Sequence, residues 1–435
     1  MSARSAGARP AHAAGESPTW YEATANPRPD CPPLAGDAEA DICIVGGGFT
    51  GVSAALELAQ RGYKAVLLEA ERIGYGATGR NGGQANTGLR CGAAMLIERF
   101  GLAEAKRLWS VAQEAHALIG ERIAKHRIDC QRRLGTLGAS LRADYRDDVD
   151  REVAAMVEHF GYTEARRVDR DEIRQLLATD IYHGGMVDRG ASHLHPLNYA
   201  IGVAQAAIAA GATVHERTRA TAIDADGHGV TTANGRIRAR HTIVACNGYL
   251  GDLVPALQPK ILPIKNYLVA TESLGEARAR ELNRDDLAVH DSRFVVNYYR
   301  MTHDHRLLFG GGEVYGRRDP ADIKSFVRRH ALSVYPQLAD ARIDYGWGGW
   351  LALTVDRLPH LGRLSRDLYF AQGYSGQGVA LSGLYGRLIA EAIAGTAERF
   401  DLFASIRHRD FPGGALMRWP LQVLGMLWYS LRDRL

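Results

Sequence analysis

The run Asp41-Ile42-Cys43-Ile44-Val45-Gly46-Gly47-Gly48-Phe49-Thr50-Gly51 places glycines at 46, 48 and 51, the spacing GxGxxG. An apolar strand, Ala40–Val45, leads into it, and a helix opens at the glycines and runs to Arg61. In that setting Gly46 permits a tight turn, Gly48 lets a pyrophosphate reach the backbone, and Gly51 allows close helix–strand packing. Free N–H groups at the helix start, with Phe49 and Thr50, add the positive end of the helix dipole. Gly62 ends the helix, and a second buried strand, Tyr63–Glu69, follows. Glu69 stands 21 residues after Gly48, where a carboxylate accepts from both ribose hydroxyls and disfavours a 2′-phosphate. This βαβ unit is built to bind a dinucleotide.

Two further glycine-rich stretches lie far from the first. Ala70 and Arg72 lead into Gly76-Ala77-Thr78-Gly79-Arg80-Asn81-Gly82-Gly83-Gln84, a loop where a nicotinamide fold would continue as helix. Gly373-Tyr374-Ser375-Gly376-Gln377-Gly378-Val379 opens a second helix that runs through Ile393. Between them stands Val244-Ala245-Cys246-Asn247-Gly248. No second GxGxxG occupies a strand–helix junction. Gly310-Gly311-Gly312 reads as close backbone packing within a strand.

The elements that position these stretches follow from periodicity and punctuation. Residues 1–18 are rich in Ala, Arg, Gly and Pro, and residues 19–40 form an arm with aromatics. Amphipathic helices are expected over 93–132 and 147–178, and another over 197–210 behind Pro196. Short strands are expected at Thr213–Glu216, Ala220–Asp224, Gly229–Thr232, Arg236–Ala239 and Thr242–Cys246, with a hairpin turn at Asn234-Gly235. More strands are expected from Ile261 to Gly312, then a helix over Pro320–Tyr335.

Composition narrows the classes. The chain has 435 residues, 46% hydrophobic and 23% charged, which suits two or three globular domains. A net charge of +4 is too small for an electrostatic nucleic-acid binder. Five scattered cysteines without CxxC fit reduced thiols and a cytoplasmic location. The N-terminus lacks an apolar signal core, and no run of 18 apolar residues spans a membrane. The six lysines limit any lysine-dependent chemistry to few candidates.

These motifs together resemble the D-amino-acid oxidase superfamily from about Trp20 onwards. The segments GATGRNGGQ at 76–84, HLHPLNYAIG at 193–202, DYGWGG at 344–349 and RFDLFA at 399–404 resemble its gamma-glutamylputrescine oxidase subgroup. The resemblance implies an α/β fold with an α+β substrate domain. A Rossmann-type FAD-binding domain with a parallel sheet would take 38–92, 188–255 and 344–400. A mixed-sheet substrate domain would take 93–187 and 256–343, with an N-terminal arm at 1–37 and an apolar tail at 401–435. Ala220, Ala245, Asn247, Gly248 and the 373–379 stretch would then join the GxGxxG and 77–84 residues around FAD. Covalent relatives carry a cysteine near Gly349 or a histidine near Arg80; both are missing, so FAD is expected to be noncovalent.

The implied reaction is hydride transfer from the carbon beside a neutral amine, then imine hydrolysis to aldehyde and ammonia, with O₂ reduced to H₂O₂. The alternatives are another amine or amino-acid donor with a quinone acceptor, or a flavin-binding protein without turnover. Relatives read Ser-Gly-His-Gly where this chain has Ser375-Gly376-Gln377-Gly378, so Gln377 would meet the flavin edge without titrating. Sarcosine oxidases activate O₂ with a lysine that would match near Phe309; Lys265, on another strand, is the candidate here, against a solvent-facing role. Tyr298-Tyr299 could supply one ring to the pocket, and Tyr299 is taken as that ring. Trp347 and Trp350 suit either the core or an aromatic wall, with Trp347 the candidate. His193-Leu194-His195 reads as packing at a helix entrance rather than a metal site, and His303-Asp304-His305 as a solvated turn. The tail beyond Leu416 is apolar enough to dock on its own domain, on a second subunit or on a membrane surface. Which of the 47 arginines would meet a substrate carboxylate is left open.

Overall fold

The computed structural model describes residues 19–313 and 319–412. The tail's residues 413–435 lie outside the described residues. Two sheets organise the chain. In the first, the strands Leu368–Gln372, Gly235–Val244, Ala38–Val45, Ala65–Leu68 and Thr213–His215 run parallel, and His360–Arg363 closes one edge antiparallel. Their central segments are buried on both sides, as the fully buried Ala65–Leu68 strand shows, which is what parallel sheets require. The helices Phe49–Gln60, Pro196–Ala209 and Gly378–Ile393 cover this sheet and pack on one another, burying alanine and glycine faces at close range. Gly235–Val244 is a single ten-residue strand where two short ones were expected. Its internal Arg240-His241 lies in the ladder rather than in a turn.

The second sheet has nine strands in the order Ile343–Leu353, Leu262–Thr271, Leu307–Glu313, Tyr298–Met301, Ala288–Asp291, Arg133–Ser140, Gly184–His193 and Gln84–Ala85, with Ala165–Val168 beside Gly184–His193. All pairs are antiparallel except Ala288–Asp291 with Arg133–Ser140. The helix Ile323–Val334 packs across one face, where Val327, Ala331 and Val334 join Tyr299, Phe309 and Tyr335 in a buried cluster. The stretches 84–85, 188–193 and 344–353, placed above in the dinucleotide part, are hydrogen-bonded into this second sheet. The cause is ladder length: Ile343–Leu353 pairs with Leu262–Thr271 along both strands.

The region 93–132 is two helices, Ala93–Phe100 and Leu102–His126, because Gly101 takes a left-handed φ of 74° between them. The region 147–178 holds helices Arg146–Phe160 and Arg170–Leu176 with the Ala165–Val168 strand between. The arm is ordered from Thr19, which caps Trp20–Ala23 with a reciprocal Glu22 bond. Trp20 and Tyr21 are buried, and Tyr21 donates to Asn81 O at 2.8 Å. The arm thus braces the glycine-rich loop from behind.

Candidate active site

One cleft runs from the glycine turn of the first sheet to the open face of the second, with about 2170 Å³ free of protein atoms, mouth included. At its first end the sequence dictates the geometry. Gly46 takes φ +112° where a Cβ would stand 2.7 Å from Ala245 O, so the turn tolerates only glycine. Gly48 caps the Phe49–Gln60 helix without a side-chain cap, leaving amides for an anion. Glu69 accepts from Gly47 N at 2.6 Å and from Glu71 N at 2.8 Å. Burial pushes its carboxyl up to about 6 against the pull of those two amides.

The 77–84 loop is held by its own hydrogen bonds. Asn81 Nδ2 donates to Ala77 O and Thr78 O, each at 2.8 Å, and Gly83 N donates to Asn81 Oδ1 at 2.7 Å. Thr78 Oγ1 accepts from Phe49 N at 3.1 Å, tying the loop to the helix start. Arg80 donates to Tyr75 O and Gly348 O. On the far wall, Asn247 Oδ1 accepts from Gly373 N at 2.9 Å, and Tyr374 OH meets Thr50 Oγ1 at 2.6 Å. Three segments distant in the chain therefore converge on one wall.

Gly46, Gly48, Phe49, Thr50, Glu69 and Ala70 line the cleft, followed by Ala77, Thr78, Arg80, Asn81, Gly82 and Gln84 from the loop. Ala220, Ala245, Asn247, Tyr374, Ser375, Gly376, Gly378 and Val379 line it from the other side. The remaining candidates stand behind this surface. Gly51 packs on the turn itself, Gly79 on Gly74 O, Gly83 on Leu194 O and Gly248 on Leu351. Gly373 presents its amide to Asn247, and Arg72 is exposed outside the cleft.

The four residues expected to carry chemistry are placed differently. Tyr299 faces away from the cleft, stacked on Phe309 with centroids 5.4 Å apart and facing Tyr182 OH at 3.3 Å. Strand alternation is the reason: the row Val289, Tyr299, Phe309 and Val269 points to the covering helix. The neighbouring row, His290, Tyr298, Gly310 and Leu268, points to the cleft. Gly310 leaves room there for the Tyr298 ring, which fills the space of the missing side chain. Lys265 falls on the outer phase of its strand, 2.6 Å from Asp319, while Ile264, Asn266 and Leu268 line the cleft. Trp347 shares a face with Leu268 but is roofed by the glycine loop, donating Nε1 to Arg80 O at 3.3 Å. Gln377 is the N-cap position of the Gly378–Ile393 helix, and its buried Oε1 meets no partner among the described residues.

Sequence reasoning missed Asn266, His290, Phe294, Arg90 and Arg357, all of which line the cleft. Period-two alternation marks Asn266 and His290 as facing opposite to Lys265 and Val289, once the buried phase is known. His195 caps Pro196–Ala209 by accepting from Asn198 N at 3.1 Å, and Thr24 Oγ1 touches its other nitrogen. His193 Nε2 lies 2.8 Å from Asp286 O.

Tyr298 is the aromatic side chain best placed to touch a ligand on the second sheet, bonded to Asn266 Oδ1 through its hydroxyl. Tyr298→Phe is expected to lower kcat/KM several-fold while stability changes by less than about 1.5 kcal/mol. Steady-state kinetics beside a urea titration check both numbers; equal loss in stability and activity would make Tyr298 structural only.

A glycine turn, a buried carboxylate at the end of the next strand and a second sheet across the far end are the architecture of two-sheet dinucleotide oxidoreductases. The family model described as FAD dependent oxidoreductase matches residues 41–392, and the chain belongs to that DAO family. It is 41% identical to gamma-glutamylputrescine oxidoreductase of Escherichia coli (strain K12), over 96% of this chain and 98% of that protein. It is 39% identical to probable oxidoreductase OrdL of Rhizobium meliloti (strain 1021), over 96% and 97% of the two chains. In fold it is similar to glycine oxidase from Geobacillus kaustophilus, with TM-score 0.70 and 24% identity over 85% of this chain and 99% of that one. The enzyme is an FAD-dependent oxidoreductase. The residues present fit that cofactor: the Gly48 amide turn suits a pyrophosphate, Glu69 a ribose, and the unpartnered Gln377 Oε1 lies beside cleft-lining Gly376 and Gly378.

Proposed function

We propose that this protein is an amine oxidase that converts the terminal amine of gamma-glutamylputrescine to the aldehyde in the cytoplasm, with noncovalent FAD. Amine, O₂ and water give aldehyde, ammonia and H₂O₂. The observation that carries the reading is full-length 41% identity to a gamma-glutamylputrescine oxidoreductase. The cleft's composition supports it. Bound FAD supplies the two-electron acceptor. The chain's own residues orient and desolvate: Tyr298, Asn266 and Leu268 form the floor that would hold an amine chain against the glycine loop. No carboxylate lines this end of the cleft among the described residues, so nothing there holds the amine in its protonated form. Arg80 and Gly349, where covalent relatives have a tether, pack against each other.

The test is a peroxide assay of the holoenzyme with gamma-glutamylputrescine, putrescine, sarcosine and D-amino acids. The first is expected to give the highest kcat/KM, rising from about pH 6 towards 10 as the amine loses its proton. Acid precipitation is expected to release all flavin into the supernatant. Turnover of the first substrate only with a quinone acceptor would remove O₂ from the reading, and no turnover would remove the substrate.

A further inference from the structure

Arg90 is a cation that makes no hydrogen bond or ion pair among the described residues. It lines the cleft, and its side chain is accessible there. The backbone that carries it is built rigidly. Gln84 Nε2 donates to Val289 O at 2.8 Å, Asn86 O meets His116 Nε2 at 3.0 Å, and Thr87 Oγ1 donates to Asp188. Gly88, with φ +65°, is wedged against the Trp109 ring.

The charge around it is unbalanced. The only acids lining the cleft among the described residues are Glu69 and Glu71, at the glycine turn of the first sheet. Arg90 belongs to the other end, within electrostatic range of His290 and Arg357, both of which line the cleft. Burial and Arg90 hold the His290 imidazole down to about 4, so at neutral pH it is an uncharged donor or acceptor. Its Nδ1 has no partner among the described residues, and Gly138 beneath its ring leaves it room. A guanidinium that opens into the cleft beside another guanidinium, with no acid among the described residues lining that end, is stabilised when an anion arrives.

We infer that Arg90 is the specificity residue that receives a carboxylate of the substrate, with His290 beside it, so that this enzyme selects amines bearing a remote carboxylate. The inference deepens the amine-oxidase reading above and rests on it for the identity of the substrate. It places the carboxylate end of gamma-glutamylputrescine over the Ala288–Asp291 strand. It also accounts for why a diamine without a carboxylate would bind poorly: its second ammonium would face the Arg90 guanidinium instead of pairing with it.

The experiment compares wild type, Arg90→Ala and Arg90→Lys as FAD-loaded enzymes. KM and kcat are measured for gamma-glutamylputrescine and for N-acetylputrescine, which keeps the amide but lacks the carboxylate. Arg90→Ala is expected to raise KM for the first about 30-fold or more, with kcat kept within about threefold and N-acetylputrescine kinetics unchanged. Arg90→Lys is expected to recover part of the loss, since it restores the charge without the planar fork. A parallel calorimetric titration with glutarate reads the site without turnover: binding is expected in wild type and lost in Arg90→Ala. If wild type fails to oxidise gamma-glutamylputrescine, the substrate reading falls while glutarate still decides Arg90. Equal losses for both amines, unchanged glutarate binding, or FAD affinity weakened tenfold with glutarate binding kept would overturn the assignment.

Discussion

Gly51→Ala is expected to abolish FAD loading and to cost the protein more stability than a single methyl ordinarily does. A Cβ at 51 would lie 1.9 Å from Gly46 O, 3.1 Å from Gly46 C and 3.3 Å from Ile44 Cγ2. The carbonyl cannot retreat. Gly46 N donates to Leu68 O at 2.9 Å and Ala245 N to Val45 O at 2.8 Å, so strands on both sides hold the turn. The helix must move instead, and its N-terminal amides move with it. Overpacking of this kind costs about 1–3 kcal/mol or more. Displacing the helix start is expected to weaken FAD binding by about two decades or more. Gly62→Ala is the control, because Gly62 has φ +83° but nothing within 4 Å of a Cβ. That variant should lose only about 1–2 kcal/mol for the left-handed backbone and bind FAD normally. Flavin titration and urea unfolding of both variants decide it; normal loading of Gly51→Ala would refute the packing argument.

The second large effect concerns a buried ion pair that joins three helices behind the cofactor wall. Arg122 Nη2 donates to Glu57 Oε1 at 3.0 Å and to Ser53 Oγ at 2.7 Å, and Ser53 donates onward to Gly383 O. Arg122 keeps 4% of its side-chain exposure and Glu57 11%, so water cannot replace either partner. Arg122→Ala leaves Glu57 paired with Arg61 and within electrostatic range of Arg387, and is expected to cost about 3–5 kcal/mol. The double variant Arg122→Met with Glu57→Leu is expected to regain most of that loss, since a matched apolar pair avoids desolvating two charges. Burial pushes the Glu57 carboxyl up, but Arg61, Arg122 and Arg387 outweigh it and hold it below its ordinary range. A depressed folded value stabilises the fold above the unfolded value near about 4.3 and ceases to do so as acid titrates the folded group. Wild type and Arg122→Ala should therefore converge in stability as pH falls below about 4. Unfolding midpoints across pH 3–8 test this, and a gap that stays constant in acid would sink the ion-pair account.

The dinucleotide half was legible because its signals are local. In the Ala38–Val45 strand, the glycine turn and the Phe49–Gln60 helix, each residue's task is set by neighbours within a few positions. The same holds for Gly373 through Ile393. The strands Arg133–Ser140 and Gly184–His193 were not legible. They are glycine-rich, lack clear alternation, and pair with each other across about fifty residues of chain. The break at Gly101 was equally hidden, because the apolar period continues through both helices it separates.

Around the reacting end, sequence and structure divided the decision cleanly. Alternation alone determined that Tyr298 and Tyr299, or Lys265 and Asn266, face opposite sides of their strands. It carried no information about which side is the cleft. That phase was decided by tertiary packing: the Ile323–Val334 helix seals the Tyr299 face, and Lys265 turns outward to Asp319. Arg90 was one arginine among many until the fold placed it beside His290 with no acid opposite. Chain chemistry by itself pointed to a dinucleotide, since the glycine turn, the helix start and Glu69 are consecutive in one βαβ unit. Only the tertiary structure decided the second-sheet wall of the cleft, because its residues come from separate strands whose common face exists only after the sheet is assembled.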